Sequence, residues 1–429
     1  MRSRGGLILD MPMIEYTNAL QRLLAQAVPL PSESCPLDQA SGRVTAAAVH
    51  SPLALPTFDH AAMDGYALWV REPLMPGSEH AVQGSQAAGD RAGAATGDAC
   101  EIMTGARLPD GLNSVVAVEN TQLLATHADG TPARIRLLQT LDAAQNVRLA
   151  GSDVVRGSEV LGPGKRIDAT HVMLLAALGI GSIDVARRPR VAIICTGKEL
   201  QADRSQPLAA GRIHNSNGPY LAAALGEAGA QVHSCVTVDD TAVTYAEALG
   251  QAIDAGMDLV LSTGAVSMGR HDFVPEVLDE LGAERLFHGV AIRPGKPLLC
   301  ARLALGPMLL ALPGTPMAVA AAMRFFVAPV LRTMMGQGAE ASLHAVLDTP
   351  QHPKPGLRHF LLATLHPGDD GRLHARVLPR QQPFRIHPYT QSGVWVVLPE
   401  NAGNREDGSI VEVVSLTHGQ SPRIDRASP

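Results

Sequence analysis

From Arg190 to Met335, short runs of purely apolar residues alternate with amphipathic stretches of helical period, and this order leaves few folds open. A run such as Val191 to Cys195 or Leu259 to Ser262 has no polar alternation, so a strand built from it must be covered on both faces. Helices packed on both sides of a parallel sheet meet that condition. The strands expected from such runs are Val191 to Cys195, Val232 to Val238, Leu259 to Ser262, Val290 to Ile292 and Met308 to Leu312. Helices are expected from Asn217 to Gly229, Thr241 to Ala255, Val274 to Leu281 and Met317 to Met335. The pattern predicts a doubly wound α/β domain over residues 188–337.

A chain of 429 residues exceeds one ordinary hydrophobic core, so further domains are expected. Ile14 to Ala27 reads as an amphipathic helix, Leu37 to Val49 as a second helical piece, and Asp168 to Leu178 as a third, with Asp168 as N-cap and Gly179 as the stop. Residues 10–50 and 149–187 are accordingly expected to form one discontinuous helical domain. Between them, residues 51–148 carry short apolar runs separated by Gly, Pro and Asp turns, the texture of a β-rich domain. The same texture over 342–420 predicts a small β-barrel or sandwich. The fold class is therefore a multidomain α/β chain.

The formal charge of -6 provides no basic field and no local basic patch stands out, which argues against nucleic acid as a partner. The apolar stretch near the start is short and broken by Asp10 and Pro12, unlike a signal peptide, and no uninterrupted run reaches membrane-spanning length. The expected location is the cytoplasm. The five cysteines have no CxxC spacing and an odd total, so they are expected to be reduced and mostly buried.

In a doubly wound sheet, ligands bind beyond the carboxyl ends of the strands. Four turns on that predicted rim are rich in Gly, Thr, Ser and Pro: Thr196-Gly197-Lys198-Glu199, the stretch from Thr263 and Gly264 through Ser267 to Gly269, Arg293-Pro294-Gly295-Lys296-Pro297, and Pro313-Gly314-Thr315-Pro316. Glycine lets backbone N–H groups approach an anion, hydroxyls add donors, and Arg293 and Lys296 add charge. Any one of them alone reads as an ordinary sheet-to-helix turn; four on one rim point to a pocket for a phosphorylated small molecule. Neither GxxxxGK[ST] nor GxGxxG is present, so the pocket is not of those nucleotide types. Glu199, Asp239, Asp240 and Asp272 lie near the rim and suit Mg²⁺, although Asp240 and Asp272 read equally well as helix caps. The histidines show no HxxxH or HExxH pair, which argues against zinc, and no Ser-His-Asp arrangement follows from spacing. In the β-rich region Asp64-Gly65 alone reads as a hairpin turn.

Phe58-Asp59-His60-Ala61-Ala62-Met63-Asp64-Gly65-Tyr66, Ile102-Met103-Thr104-Gly105-Ala106, Arg148 to Asp153, Thr196 to Leu200, Asn215-Ser216-Asn217 and Ala291 to Pro297 occur in one order along nearly the whole chain. Together they resemble the molybdenum insertase family, the molybdopterin molybdenumtransferases that include the gephyrin E domain. The resemblance implies a four-part elongated protomer with a C-terminal β-barrel and a MogA/MoaB-like α/β domain. It also implies a homodimer whose site joins the β-rich domain of one chain to the α/β domain of the other. Its reaction would bind adenylylated molybdopterin with Mg²⁺ and molybdate, release AMP and insert molybdenum. Catalytic roles would fall on Asp59, Thr104, Glu199, Asp239 and Asp272, and metal binding on Asp153, Glu199, Asp239 and Asp272. Pterin and phosphate binding would involve Arg148, Thr196, Gly197, Ser216, Asn217, Thr263, Gly264, Ser267, Gly269, Arg293, Pro294, Gly295, Lys296, Pro313, Gly314 and Thr315. A molybdopterin adenylyltransferase and recipient molybdoenzymes are the further implied partners.

Several motif positions depart from the family pattern: Lys198 and Arg270 stand for acidic residues, Asn215 for aspartate, Ala265 for glycine, Thr315 for asparagine, Gly289 for lysine and Arg293 for lysine. In the tail, Leu362 falls at an arginine position and Pro383 at a serine position. These substitutions keep a second reading open, a weakly active or inactive paralogue that binds or delivers the pterin.

Overall fold

The structure is a computed structural model, and it describes residues 13–91, 93–266, 272–304 and 306–425. Its centre is a six-stranded sheet of β1 (Arg190–Thr196), β2 (Gln231–Val238), β3 (Leu259–Thr263), β4 (Glu284–His288), β5 (Leu299–Arg302) and β6 (Met308–Leu312), in the order β2-β1-β3-β6-β5-β4. The pairings β2–β1, β1–β3 and β3–β6 are parallel, whereas β5 runs antiparallel to both β6 and β4. Alternate side chains enter two cores. Val191, Ile193, Leu259, Leu261, Met308 and Leu310 face one, with Leu221 and Leu225 of helix α1 (Asn217–Glu227). Ala192, Ile194, Val260 and Leu309 face the other, with Tyr245 and Leu249 of α2 (Ala242–Asp254) and Val277 of α3 (Val274–Glu280). Burial on both faces is why these strands read as continuous apolar runs.

The expected strand at Val290 to Ile292 does not belong to this sheet. Ile292–Arg293 instead pairs in parallel with Arg358 and His359, at the start of a strand of the C-terminal barrel. The sheet is completed by β4 and β5, whose sequences ERLFH and LCAR are short and carry charge at one end, and so escape pattern reading.

A continuous helical run, Pro316–Met334, follows β6. It is 19 residues long with a mean hydropathy of 1.4, long and apolar enough to cross a membrane by composition, although Arg324 and Arg332 interrupt its apolar residues. In this fold 83% of that window is buried in protein: the run is a core helix between the sheet and the barrel. It passes through one wide turn at Met323–Val327, where buried Arg324 donates to the Ser415 carbonyl (2.8 Å) and pairs with Glu340 (2.9 Å).

The first helix, Tyr16–Ala25, buries Ala19 and Leu23 in the α/β core, and Arg22 reaches the Leu286 carbonyl (3.0 Å). Leu37 to Val49 is not the helix expected. Only Leu37–Gln39 makes a helical turn, Gly42 then takes φ +78°, and the Thr45 hydroxyl donates to the Gly162 carbonyl (2.7 Å). A left-handed residue ends any helix, so the segment is captured by its neighbours. What joins the chain's early part to residues 149–187 is strand pairing, Ser32–Pro36 with Ser182–Ala186 and Val49–His50 with Glu159–Leu161. One helix lies there, Ala169–Ala177, capped by Asp168, whose carboxylate accepts from the Thr170 and His171 N–H groups, and followed by Gly179 at φ +70°.

Residues 60–137 carry a second six-stranded sheet, in the spatial order Ser114–Ala117, Gly65–Leu68, Ala99–Ile102, Glu79–Gln86, Pro132–Leu137, Thr121–Thr126. Near the other end of the chain, Leu343–Leu347, Arg358–Pro367, Leu373–Val377, Val394–Leu398 and Ile410–Ser415 close into a five-stranded barrel, because Arg358–Pro367 pairs with both Leu373–Val377 and Val394–Leu398. Of the cysteines, Cys35, Cys100, Cys195 and Cys300 are buried, Cys235 is exposed, and all are free.

Asp64-Gly65 is not a hairpin turn. Gly65 opens its strand, paired with Ala117, and a Cβ there would stand 1.9 Å from the Val116 carbonyl oxygen. Gly65→Ala is therefore expected to destabilise the β-rich sheet by more than about 3 kcal/mol, since backbone cannot yield as a flexible side chain does. Thermal unfolding of the variant followed by circular dichroism checks this.

Candidate active site

The parallel direction of β2, β1, β3 and β6 brings their carboxyl ends to one edge. Along that edge stand Asp239 and Asp240 after β2, Thr196 to Glu199 after β1, Thr263 to Ala265 after β3, and Pro313 to Thr315 after β6. The connection from β4 to β5 reaches the same edge, because His288 pairs with Leu299 and Leu299 with Ala311. Arg293 and Lys296, both exposed, project from that connection. The rim thus carries carboxylates, with Lys198 among them, at one end and the cations Arg293 and Lys296 at the other. With strands about 4.8 Å apart, these groups stand on the order of 20 Å from each other, room for a ligand of several moieties.

The turns are held by interactions that spend some of the expected donors. The buried Thr196 hydroxyl donates to Asp240 Oδ1 (3.0 Å), so it serves the rim's framework, and Thr263 is likewise buried. Asp240 is consequently not the cap of α2. That position is Thr241, whose hydroxyl accepts from the Thr244 N–H. The Asp239 carbonyl accepts from the Thr241 N–H (2.8 Å) and its side chain is exposed. Glu199 is exposed and folds over Gly197, where a Cβ would lie 2.8 Å from Glu199 Oε1. Gly264, at φ +92°, packs so closely that a Cβ would sit 2.3 Å from the Thr196 carbonyl oxygen. Buried Asn215 donates to the Thr237 hydroxyl (2.9 Å) and accepts from the Gly218 N–H (3.0 Å), fixing the start of α1. Ser216 is exposed at the head of α1 and offers that helix no side-chain cap. Asn217 donates to the Gly314 carbonyl (2.8 Å), tying α1 to the turn after β6.

Thr315 heads the helix at Pro316, but the Met317 N–H donates to the Pro383 carbonyl (3.0 Å), so one of its free donors is already occupied. Gly295, at φ +108°, lies beside the same helix, where a Cβ would stand 3.8 Å from the Ala318 carbonyl oxygen. Beside the start of the barrel strand, His359 is held below the usual histidine range by burial and, second, by the Arg293 charge. Asp272 is half-buried ahead of α3, and Phe273 rather than Asp272 occupies that helix's cap position. Ser267, Gly269 and Arg270 lie outside the described residues.

The remaining candidates belong to the β-rich unit and its flank. Asp59 is exposed and accepts from the Ala150 N–H (2.7 Å), which ties it to the loop after Val147–Arg148. Arg148 stands opposite His60 in a short antiparallel pair and is exposed, as is Asp153, whose N–H donates to the Leu55 carbonyl (2.9 Å). Thr104 is positioned by a residue whose role was missed in the sequence. Its N–H and its hydroxyl both donate to Asp64 Oδ1, at 2.6 and 2.7 Å. The N–H bond first, then the hydroxyl bond, draws the Asp64 carboxyl below its ordinary range. No local signal links residues 40 positions apart. Among the described residues, Asp59 and Thr104 bond within this unit and its flank, and no bond carries either to the rim of the same chain. Among the described residues, Asp153, Glu199, Asp239 and Asp272 also do not converge on one point; the group with three ligand atoms within 4.8 Å of one another is Asp348, His366 and His374, far along the chain in the barrel.

Two measurements test this geometry. Because the folded Asp64 pKa is depressed, its bonds to Thr104 are complete above the unfolded value and are lost as pH falls through the lower folded one. The Thr104 amide resonance is thus expected to shift only below about pH 4, and Asp64→Asn to abolish that titration. Ala265, where the resembled family carries glycine, has φ +49°. Ala265→Gly relieves a left-handed alanine at some cost in chain entropy, so the expected gain is up to about 1 kcal/mol, read from the urea midpoint.

Residues 14–179 match the MoeA N-terminal region (domain I and II), 192–333 the probable molybdopterin binding domain, and 344–416 the MoeA C-terminal region (domain IV). The chain is 33% identical over 418 residues to the molybdopterin molybdenumtransferase of Synechococcus elongatus, covering 94% of this chain and 100% of that one. It is 34% identical over 344 residues to molybdopterin molybdenumtransferase 2 of Mycobacterium tuberculosis, covering 77% and 82%. Among solved structures it resembles the molybdopterin biosynthesis moeA protein of Pyrococcus horikoshii, with a TM-score of 0.78 and 27% identity, over 94% of this chain and 100% of that one. Nothing in these likenesses favours the reading as an inactive paralogue.

Proposed function

This chain belongs to the molybdopterin molybdenumtransferase family and is an enzyme of molybdenum cofactor biosynthesis, and on that premise we propose that its rim carries out the final metal insertion on adenylylated molybdopterin. In this reading the ligand lies along the carboxyl edge, AMP is released, and molybdenum from molybdate is placed on the dithiolene. One observation carries it. Arg293 and Lys296 stand at one end of a single sheet edge and Glu199 and Asp239 at the other, with the close-packed turns at Gly264 and Gly314 between them. The cations attract the anionic ligand to the edge, and the glycine turns let backbone approach its phosphates. At the opposite end, the exposed carboxylates can orient a water molecule for attack at the adenylate phosphorus and accept its proton.

Mg²⁺ belongs to this proposal. The donor set is all oxygen, and a Mg²⁺ site needs only one or two carboxylates when phosphate and water complete the shell, so the lack of a four-carboxylate cluster is compatible with it. One or two of the candidates Glu199, Asp239, Asp272 and Asp153 would hold the ion. Bound there, it would neutralise charge developing on the phosphate. Among the described residues Asp59 and Thr104 are held within their own unit and its flank, not by the rim, which supports a site completed by those residues, with Arg148 and Asp153, from a second copy of the chain. The enzyme would then act as a homodimer in the cytoplasm, receiving its substrate from an adenylyltransferase and passing its product to molybdoenzymes.

Purified protein given adenylylated molybdopterin, Mg²⁺ and molybdate is expected to release AMP in step with molybdenum insertion; release of neither overturns the proposal. The shared site has its own test. Asp59→Asn and Glu199→Gln are each expected to cost about 100-fold in turnover. Mixing the two variants under subunit exchange is expected to restore about a quarter of wild-type activity, since half the dimers would hold one intact site. No recovery on mixing would place both residues in the same protomer's site.

A further inference from the structure

We propose that Asp348, His366 and His374 form a binding site for a divalent transition-metal ion of the zinc type on the outer face of the C-terminal barrel. Each supplies a ligand atom within 4.8 Å of the others. The placement follows from the barrel's register. His366 and His374 are directly opposed across the antiparallel pair of Arg358–Pro367 and Leu373–Val377, so both rings share a face, with centroids 5.8 Å apart. Their neighbours Leu365 and Ala375 are fully buried, which sends the two imidazoles outward. Asp348 follows the strand Leu343–Leu347, and its N–H donates to the Ala375 carbonyl (3.0 Å), holding its carboxylate under the rings.

The bonding within this group has the form of a metal site's inner and outer shells. His374 Nδ1 lies 2.8 Å from Asp348 Oδ1, and its other nitrogen, Nε2, lies 3.2 Å from Asp370 Oδ1. A carboxylate on the far nitrogen fixes the tautomer and ring orientation of a ligating histidine, leaving Nδ1 to face the ion. His366 Nε2 lies 3.2 Å from Asp348 Oδ2, an ion-pair distance, yet that buried oxygen has no aligned hydrogen-bond donor. A cation placed among Nδ1, Nε2 and this oxygen would satisfy it. Two imidazoles and a carboxylate favour zinc, cobalt or nickel over Mg²⁺ or Ca²⁺, which prefer oxygen alone. The same depression is lined by Asp370 and Asp407 against Arg372 and Arg376. Arg376 touches Asp348 only at 3.5 Å with its side chain 61% exposed, so it can withdraw when the ion enters. Such a site would tie three parts of one barrel together and lies apart from the rim residues.

The test uses the full chain, freed of any affinity tag and stripped by chelation, titrated with Co²⁺ and Zn²⁺. About one Co²⁺ per chain is expected, with the intense visible absorption of a four-coordinate nitrogen-containing site, displaced by Zn²⁺. Zn²⁺ is also expected to raise the thermal midpoint. His366→Ala and His374→Ala are expected to lose about 100-fold in affinity, and His366→Gln, which keeps the bulk and polarity, to behave as His366→Ala while retaining the native circular dichroism. Sub-stoichiometric binding, the pale spectrum of an all-oxygen six-coordinate site, or undiminished binding in folded His366→Gln would each overturn the assignment and leave the cluster as a hydrogen-bonded ion-pair network.

Discussion

Parallel pairing of β2, β1, β3 and β6 is the constraint on which the rest of the molecule depends. A parallel ladder carries all its carboxyl ends to one edge, and the crossover helices needed to return the chain cover both faces. The five residues of β3 are all buried, and each large apolar side chain so covered contributes about 1.5–3 kcal/mol. Rim residues therefore stand on backbone that cannot shift without disturbing two cores. The close contact of Gly264 with Thr196, and the bond from Asn217 to Gly314, transmit that rigidity from one turn to the next.

The barrel is coupled to this sheet more closely than a separate domain would be. Ile292–Arg293 adds to its strand Arg358–Pro367, while Phe360 and Trp395 share a core with the helix that follows β6. Arg293 thereby takes its position from both units at once. Buried Arg324, bonded to Ser415 and paired with Glu340, fastens the same junction from within. Placing a guanidinium there requires those partners, because an unpaired buried charge is costly. In the β-rich unit, in contrast, Asp64 fixes Thr104 and the adjoining Ala150 N–H fixes Asp59, so both side chains are positioned by local bonds.

Much of this was legible residue by residue. Val191 to Cys195 and Met308 to Leu312 announced buried strands because neither has a wet face, and Asp168 announced a helix start because its side chain can satisfy free N–H groups. β4 and β5 were not legible. At the antiparallel edge of the sheet they are short and bounded by Arg285 and Arg302, and so short a run looks like a loop. Leu37 to Val49 was misread because helical spacing of apolar residues is only a local preference, and Gly42 with the Thr45 hydroxyl answered to partners more than a hundred residues away. HxxxH spacing pairs histidines on a helix, whereas the cross-strand histidines His366 and His374, eight positions apart, are paired by the register of a sheet.

By itself, the sequence determined the fold class, the family and the chemical types on the rim, because burial period, turn residues and ordered motifs are written in consecutive positions. The tertiary structure alone decided which polar groups remain free. Thr196 was a candidate donor until Asp240 took its hydroxyl, Asp64 was a turn residue until Thr104 closed on it, and Ile292 was a strand of one sheet until it paired with another. Each of those outcomes depends on a hydrogen bond between residues 40 or more positions apart, and such a bond exists only once the packing of both neighbourhoods has brought donor and acceptor within reach.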